Sequence, residues 1–247
     1  GGVYAARNGL RGLQKSACPA TTEGGGTEGG GRTGRPMQRL WICALALLLV
    51  GSTSCGGGAR EQTVQRTFLF GPIAGFTGFM TQVATGGPTY VPVTNVPIRV
   101  GDDANNDQVK GYASFDISTL PEGAQITNAV IRMNQEAVEG VPYGVLGPGI
   151  AVDHVDLGFA LELSDWDGNA LGLNIGTLSS SPALGPVQVE VAQEIAIAVT
   201  LNRTTVSFRF AFPTTTNVDD TSDQAVFTKA GELLQPFLEV EATVPNR

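Results

Sequence analysis

Cysteine and histidine are scarce in this chain of 247 residues. It contains three cysteines, Cys18, Cys43 and Cys55, and a single histidine, His154. Because no cysteine follows Cys55, the part of the chain beyond it can form no internal disulfide and has no thiol nucleophile or cysteine metal site. One histidine likewise excludes a histidine-rich zinc site within one subunit.

Positive charge is also scarce. From Cys55 onward the chain has nine lysines and arginines against 21 aspartates and glutamates, a formal net charge of −12. Nucleic-acid binding depends on cationic contacts to phosphates, so this balance excludes nucleic acid as a partner. An acidic surface is compatible with solubility or with divalent cations, and it selects no particular partner.

No hydrophobic run is long enough to cross a membrane as a helix. The longest is LWICALALLLV, eleven residues at 40–50. A helix of that length measures about 16 Å, half of a hydrocarbon core of ~30 Å. The run has the length of a signal-peptide core and follows Arg35 and Arg39. We expect Met37 to be the initiator, and residues 1–36, rich in glycine and arginine, to be a disordered or untranslated leader.

A short box of small residues and a cysteine, STSC at 52–55, follows the apolar run. It resembles the end of a bacterial lipoprotein signal peptide, whose cysteine is diacylated and becomes the mature N-terminus. The resemblance implies a signal peptide at 37–54 and lipidation of Cys55. Two or more acyl chains anchor a protein stably to a membrane. Gly56, where an aspartate would favour the inner membrane, implies the outer membrane of a Gram-negative cell; an ordinary secretory signal is the alternative.

Beyond a flexible tether at 55–66, the sequence pattern is that of β-structure. Segments rich in Val, Ile, Phe and Thr alternate with clusters of Gly, Pro, Asn and Asp. Only VAQEIAIAVTL, at 191–201, has helical spacing. The pattern predicts an all-β fold, a jelly-roll-like antiparallel β-sandwich over residues 67–247. Its clearest strands are predicted at 111–117, 126–135, 150–157, 187–191, 205–212 and 237–244.

Three consecutive motifs carry a family resemblance: FDIS at 115–118, LPEGAQI at 120–126 and AVIR at 129–132. Together they resemble the opening of DNRLRE-type (disaggregatase-related) domains, which are grouped with some carbohydrate-binding modules. The resemblance implies a jelly-roll sandwich, often at a cell surface, that in some members binds polysaccharide. The Trp-Asn-Asn segment that the family carries in mid-domain is replaced here by residues 163–185.

The residues of this motif have a structural interpretation of their own. We expect Phe115 and Ile117 to face the core, and Asp116 to accept backbone N–H groups at the end of a strand. Pro121 and Gly123 are typical of the turn that reverses the chain. We therefore interpret the motif as one that specifies the fold and not as a catalytic one.

One loop carries the oxygen ligands that calcium prefers. The stretch GDDANNDQ contains Asp102, Asp103, Asn105 and Asp107, and Ca²⁺ takes about six to eight oxygens. The sequence therefore predicts a structural Ca²⁺ site and no other cofactor. A solvated turn is the alternative, because Asp and Asn are common turn formers. Two more acidic loops, at 165–169 and 217–223, are predicted to be turns on the wet surface.

Sugar binding usually requires an exposed aromatic ring that stacks on the sugar. Trp166, which stands between two aspartates on a predicted loop, is the best candidate, and Tyr143 is the second. The alternative for Trp166 is an anchor that pins its loop. Tyr90 and Tyr112 are the remaining aromatic candidates of this kind.

No catalytic arrangement stands out in the sequence. His154 is predicted to pack beside Ile150 and Val152, and the serine-nucleophile motif Gly-x-Ser-x-Gly is absent. The favoured hypothesis is a non-catalytic polysaccharide-binding module anchored to the cell envelope. The alternative is an outer-membrane lipoprotein that docks a partner protein, and a hydrolase is the third hypothesis.

The anchor hypothesis predicts that Cys55→Ser releases the protein from membranes, because serine cannot form the thioether to the diacylglyceryl group. Membrane fractionation and mass spectrometry of the processed N-terminus measure this. Cys43→Ser, within the apolar run, is the control and should remain anchored. An unmodified Cys55 side chain in the processed wild-type protein would contradict the hypothesis.

Overall fold

The structure, a computed structural model, describes residues 62–83, 89–158, 160–168 and 170–246. The predicted leader, the signal peptide and Cys55 lie outside the described residues, as does most of the tether. All the described residues belong to one compact unit, Gly57–Arg247. Within them, no helix has the length and apolarity needed to cross a membrane.

The described chain is predominantly β, which confirms the predicted class. The helix predicted at 191–201 is confirmed as α2, where Ile195 and Ala198 are fully buried. Two single turns of 3-10 helix stand at Ala74–Phe76 and Leu163–Asp165. The elements are β1 (Thr63–Phe70), β2 (Gly78–Val83), β3 (Thr89–Thr94), β4 (Ile98–Asp102), β5 (Gln108–Asp116), β6 (Gln125–Glu139), α1 (Pro142–Val145), β7 (Ala151–Val155), β8 (Ala170–Thr177), β9 (Gly185–Glu190), α2 (Ala192–Thr200), β10 (Thr205–Ala211), β11 (Asp223–Phe227) and β12 (Phe237–Pro245).

The twelve strands form one curled sheet with antiparallel pairing. The main path runs β1-β12-β6-β11-β4-β5-β10-β7-β8, while β2 pairs with β3 and β5, and β9 pairs with β6. Strand β6 is fifteen residues long, and it pairs with β12 through its first half and with β11 through its last residues. Because hydrogen bonds join all these strands into one network, the finer jelly-roll arrangement stays a prediction.

Alternation of side chains along the strands builds the main core. In β10, Val206, Phe208 and Phe210 point inward and are buried, as their period of two predicts. In β12, Leu238 and Val240 are fully buried, and the adjacent Glu239 and Glu241 are partly exposed. These buried residues share the main core with Ile195 and Ala198 of α2.

The fold-specifying motif behaves as its residues predict. Phe115 and Ile117 are in the main core. The Ser118 N–H donates to Asp116 Oδ1 at 2.9 Å, which closes the end of β5. Gly123 has a φ of +77°, and the Ala124 N–H donates to the Pro121 carbonyl at 3.1 Å, so this segment is the expected turn.

The domain begins earlier than the sequence indicated. Strand β1 starts at Thr63, whose partner in the ladder is Pro245 of β12, so residues 63–66 belong to the sheet and not to a tether. Val64 and Phe68 pack against a small cluster that includes Val244. Three polar residues stand between Val64 and Phe68, so the local sequence carries no strand signal, and the strand is recognised by its pairing with β12.

Candidate functional site

Trp166 lies in a second, smaller core on the outer face of the sheet. The chain between β7 and β8 folds over that face, and the Trp166 side chain is only 2% exposed. The Tyr90 ring lies 5.2 Å from the indole, centroid to centroid. The buried members of this second core are Met80, Tyr112, Val155, Leu157, Leu161 and Trp166.

Two cations hold the Trp166 segment in place. Lys110 Nζ lies 4.1 Å from the centre of the indole ring and donates to the Trp166 carbonyl at 3.1 Å. Arg209 donates to the same carbonyl at 2.8 Å, and its other nitrogens bind Asp153 Oδ2 at 2.8 and 3.1 Å. The side chain therefore anchors its loop. It has no exposed face on which a sugar could stack, which corrects the expectation of an exposed ring at this residue.

Burial shifts the pKa values of two side chains at this second core, Lys110 and Tyr112. Burial, and after it the charge of nearby Arg209, lowers the pKa of Lys110, while Asp167 and Asp153 act in the opposite direction; together they bring it to about 8. Burial also raises the pKa of Tyr112, whose hydroxyl lies 3.4 Å from the Asp165 carbonyl.

Tyr143, the second aromatic candidate, is half-buried and lies in α1. Its hydroxyl donates to Gln135 Oε1 at 2.6 Å, and its ring meets Phe212 edge-on at 5.2 Å. Gln135 in turn donates to the carbonyls of Ser181 and Ala183. Tyr143 thus belongs to the main core and supports the loop before β9, while Trp166 belongs to the second core, so the two do not form one site.

His154 is packed, as the sequence predicted. Its ring stacks on Phe208 with centroids 5.6 Å apart, and Ile150 and Val152 are buried in the adjoining core. Burial lowers the pKa of His154, and the positive charge of Arg203 lowers it further.

The predicted calcium ligands separate in the structure. Asp103 Oδ1 accepts the N–H groups of Asn105 at 2.8 Å and Asp107 at 3.1 Å, as in the turn alternative. Asp102, the last residue of β4, is fully buried instead, and its Oδ2 accepts the Asn217 N–H at 3.3 Å. The four residues therefore do not converge on a single point.

A distant acidic loop approaches Asp102. Asp223, predicted to lie on the wet surface, is 1% exposed, and that prediction was wrong. It is the direct partner of Asp102 in the β4–β11 ladder. Asn217 Nδ2 donates to Asp223 Oδ2 at 2.9 Å and to Asp219 Oδ2 at 2.8 Å. Within the described residues, no three His, Cys, Asp or Glu side chains are grouped so that they could hold a metal ion.

A groove of about 640 Å³ opens beside β1, β6 and β9. Its rim carries three exposed leucines, Leu69, Leu233 and Leu234, which are 67%, 97% and 57% exposed, and Met133 and Phe237 lie beneath them. Arg132 borders the groove and forms an ion pair with Glu239 at 3.1 Å. Sequence reasoning missed this groove because Leu69 and Leu233 are far apart along the chain and no local pattern joins them.

Comparisons with known proteins add no assignment. No protein-family model matches the chain, and a search of the curated proteins finds no significantly similar sequence. The resemblance to DNRLRE-type domains stays a prediction.

The lowered pKa of Lys110 predicts a pH-dependent stability. Between its folded pKa of about 8 and its unfolded value of 10.5, the unfolded state binds more protons, so the free energy of unfolding rises with pH. From pH 8 to 9.5 these two pKa values give a rise of about 1.6 kcal/mol, which solvent screening of the partly exposed ammonium reduces to about 1 kcal/mol; the rise should vanish in Lys110→Met. Urea unfolding at several pH values measures it, with the more exposed Lys229→Met as the control. Parallel curves for the wild type and Lys110→Met would refute the assignment.

Proposed function

We propose that this protein is a lipid-anchored envelope protein whose β-domain docks a partner protein without catalysis. The observation that supports the proposal is the groove with its three exposed leucines. The groove has a volume of about 640 Å³, and most of its lining residues are apolar. Exposed apolar side chains around one concavity are typical of an interaction site.

The chemistry of the groove favours a protein segment over a polysaccharide. Among the described residues, Trp166 and the three tyrosines are committed to internal contacts, and none of them lines the groove. A sugar placed against the leucines and methionine would lose hydrogen bonds from its hydroxyls to water, and of the lining side chains only Arg132, Asn134 and Gln235 could replace them. Aliphatic side chains of a partner lose nothing of this kind and remove apolar surface from water.

Charge narrows the class of partner. The domain is strongly acidic, and the charges next to the groove are already paired, Arg132 with Glu239 at 3.1 Å and Glu232 with Lys229 at 3.6 Å. Long-range attraction therefore favours a partner whose apolar segment is flanked by basic residues. We infer a partner protein with an aliphatic segment between lysines or arginines.

A photo-crosslinking amino acid in place of Leu233 tests the docking role in intact cells. We expect it to form one specific adduct with an envelope protein. A second substitution, Leu69→Glu, should reduce the adduct at least tenfold, because the new carboxylate must be desolvated against the partner's apolar segment. Leu233 and Leu69 are exposed, so neither change should affect folding.

Leu173→Glu is the matched control, since Leu173 is 73% exposed on β8 and does not line the groove. It should leave the adduct unchanged. Equal loss in both variants would contradict the groove as the docking surface. Binding of the purified protein to a polysaccharide on a glycan array, with the same affinity in Leu69→Glu, would instead support the polysaccharide hypothesis.

A further inference from the structure

We infer that Asp102, Asp223 and Asn217 hold one calcium ion between the β4–β11 ladder and the loop that precedes β11. The inference is independent of the docking proposal. It shares only Asp102 with the calcium site expected from the sequence, and it brings together residues more than 100 positions apart.

Two buried oxygen atoms in this cluster lack a hydrogen-bond partner. In the described part of the chain, three buried polar side-chain atoms have none: Thr77 Oγ1, Asp102 Oδ1 and Asn217 Oδ1. Two of these three atoms belong to residues in direct contact through the Asn217 N–H and Asp102 Oδ2. Both are acceptors, and Asp102 is fully buried. A buried acceptor without a donor is costly, and a bound cation satisfies it.

Negative charge accumulates here without a basic partner. Asp102 and Asp223 face each other directly across an antiparallel ladder, an arrangement that is destabilising for like charges. Neither carboxylate is among the ion pairs found in the described residues. Asp223 accepts the Val141 N–H at Oδ1, at 2.5 Å, and the Asn217 amide at Oδ2, at 2.9 Å; both donors are neutral and leave the charge uncompensated.

The donor set suits calcium better than the other common ions. Two carboxylates and an amide oxygen are hard ligands, and with water they can complete the six to eight oxygens that Ca²⁺ takes. Magnesium demands a near-ideal octahedron, and zinc favours nitrogen and sulfur. The set has two acidic residues and one asparagine, so it is not one of the groups of three His, Cys, Asp or Glu side chains, of which the described residues contain none that could hold a metal ion.

The alternative to a bound cation is a proton on Asp102, which would remove one of the two negative charges in the cluster. Burial raises the pKa of Asp102, and Asp223 and Asp219 raise it further, although hydrogen bonds from Thr216 and Asn217 oppose this. If protonation of Asp102 alone removed the charge, its contribution to the free energy of unfolding would be greatest below pH 3.8, the pKa of the unfolded state. That contribution would be lost as the pH rose through the pKa of the folded state. A cation holds Asp102 ionised, and stability at pH 7 then depends on that cation.

Thermal unfolding of the purified full-length protein at pH 7 distinguishes a bound calcium ion from a proton on Asp102. We compare EDTA, CaCl₂ and MgCl₂, and isothermal titration with CaCl₂ gives the Kd. Calcium at 100 times its Kd should raise the unfolding midpoint by about 5 °C, with magnesium raising it less. Asp102→Asn, which keeps the shape but not the charge, should weaken calcium binding at least tenfold.

Glu122→Gln is the control, since it removes one exposed negative charge outside the cluster and should bind calcium as the wild type does. Absence of a calcium-dependent midpoint in the wild type, together with a more stable Asp102→Asn at pH 7, would overturn the inference in favour of the proton. An equal calcium shift in the wild type and Asp102→Asn, or a larger shift with magnesium, would overturn it as well.

Discussion

Strands β5 and β10 are buried on both faces, and this constraint shapes the rest of the molecule. Their inward side chains, among them Phe115 and Phe208, form the main core under α2. Their outward side chains, Lys110, Tyr112 and Arg209, would face solvent in an ordinary two-faced sheet. Here the segment that carries Trp166 covers them, so the domain must satisfy two cations in a nearly dry layer. It does so with the Trp166 carbonyl, Asp153 and the indole face.

This second core decides which surfaces remain for recognition. The aromatic side chains that could stack on a sugar support the loops from inside, and the exposed apolar surface lies instead at the groove of Leu69, Leu233 and Leu234. Buried charged groups need compensating partners at β4 and β11 as well, where Asp102 and Asp223 face each other. At β10 Arg209 compensates the carboxylate of Asp153, whereas the arginine of β4, Arg99, pairs with Glu139. Among the described residues, no ion pair includes Asp102 or Asp223. The calcium inference follows from that difference.

Local sequence patterns predicted the local structure well. The two-residue period of Val206, Phe208 and Phe210 gave the inward face of β10, the spacing of Val191 and Ile195 gave α2, and Gly123 gave its turn. Each of these patterns depends only on residues that are close to one another along the chain. A period of two separates the faces of a strand, but it does not say whether a distant loop covers the outer face.

The features that bear on function depend on such distant contacts. Asp223 stands in an acidic stretch whose sequence is typical of a solvent-exposed turn. It is buried because its strand, β11, pairs with β4. Trp166 stands between two aspartates, a pattern typical of an exposed loop. It is held in a buried position by Arg209 and Lys110, which belong to other strands. The groove needs residues from β1 and from the turn before β12. None of these contacts leaves a trace in the nearby sequence.

Iodide quenching of Trp166 fluorescence tests the central claim that this indole is an internal anchor. The measurement uses a Trp41→Phe variant, in which Trp166 is the sole tryptophan. The account predicts emission at short wavelength, weak quenching and no change when soluble polysaccharides are added. Quenching close to that of free tryptophan, or a spectral shift on addition of polysaccharide, would contradict it.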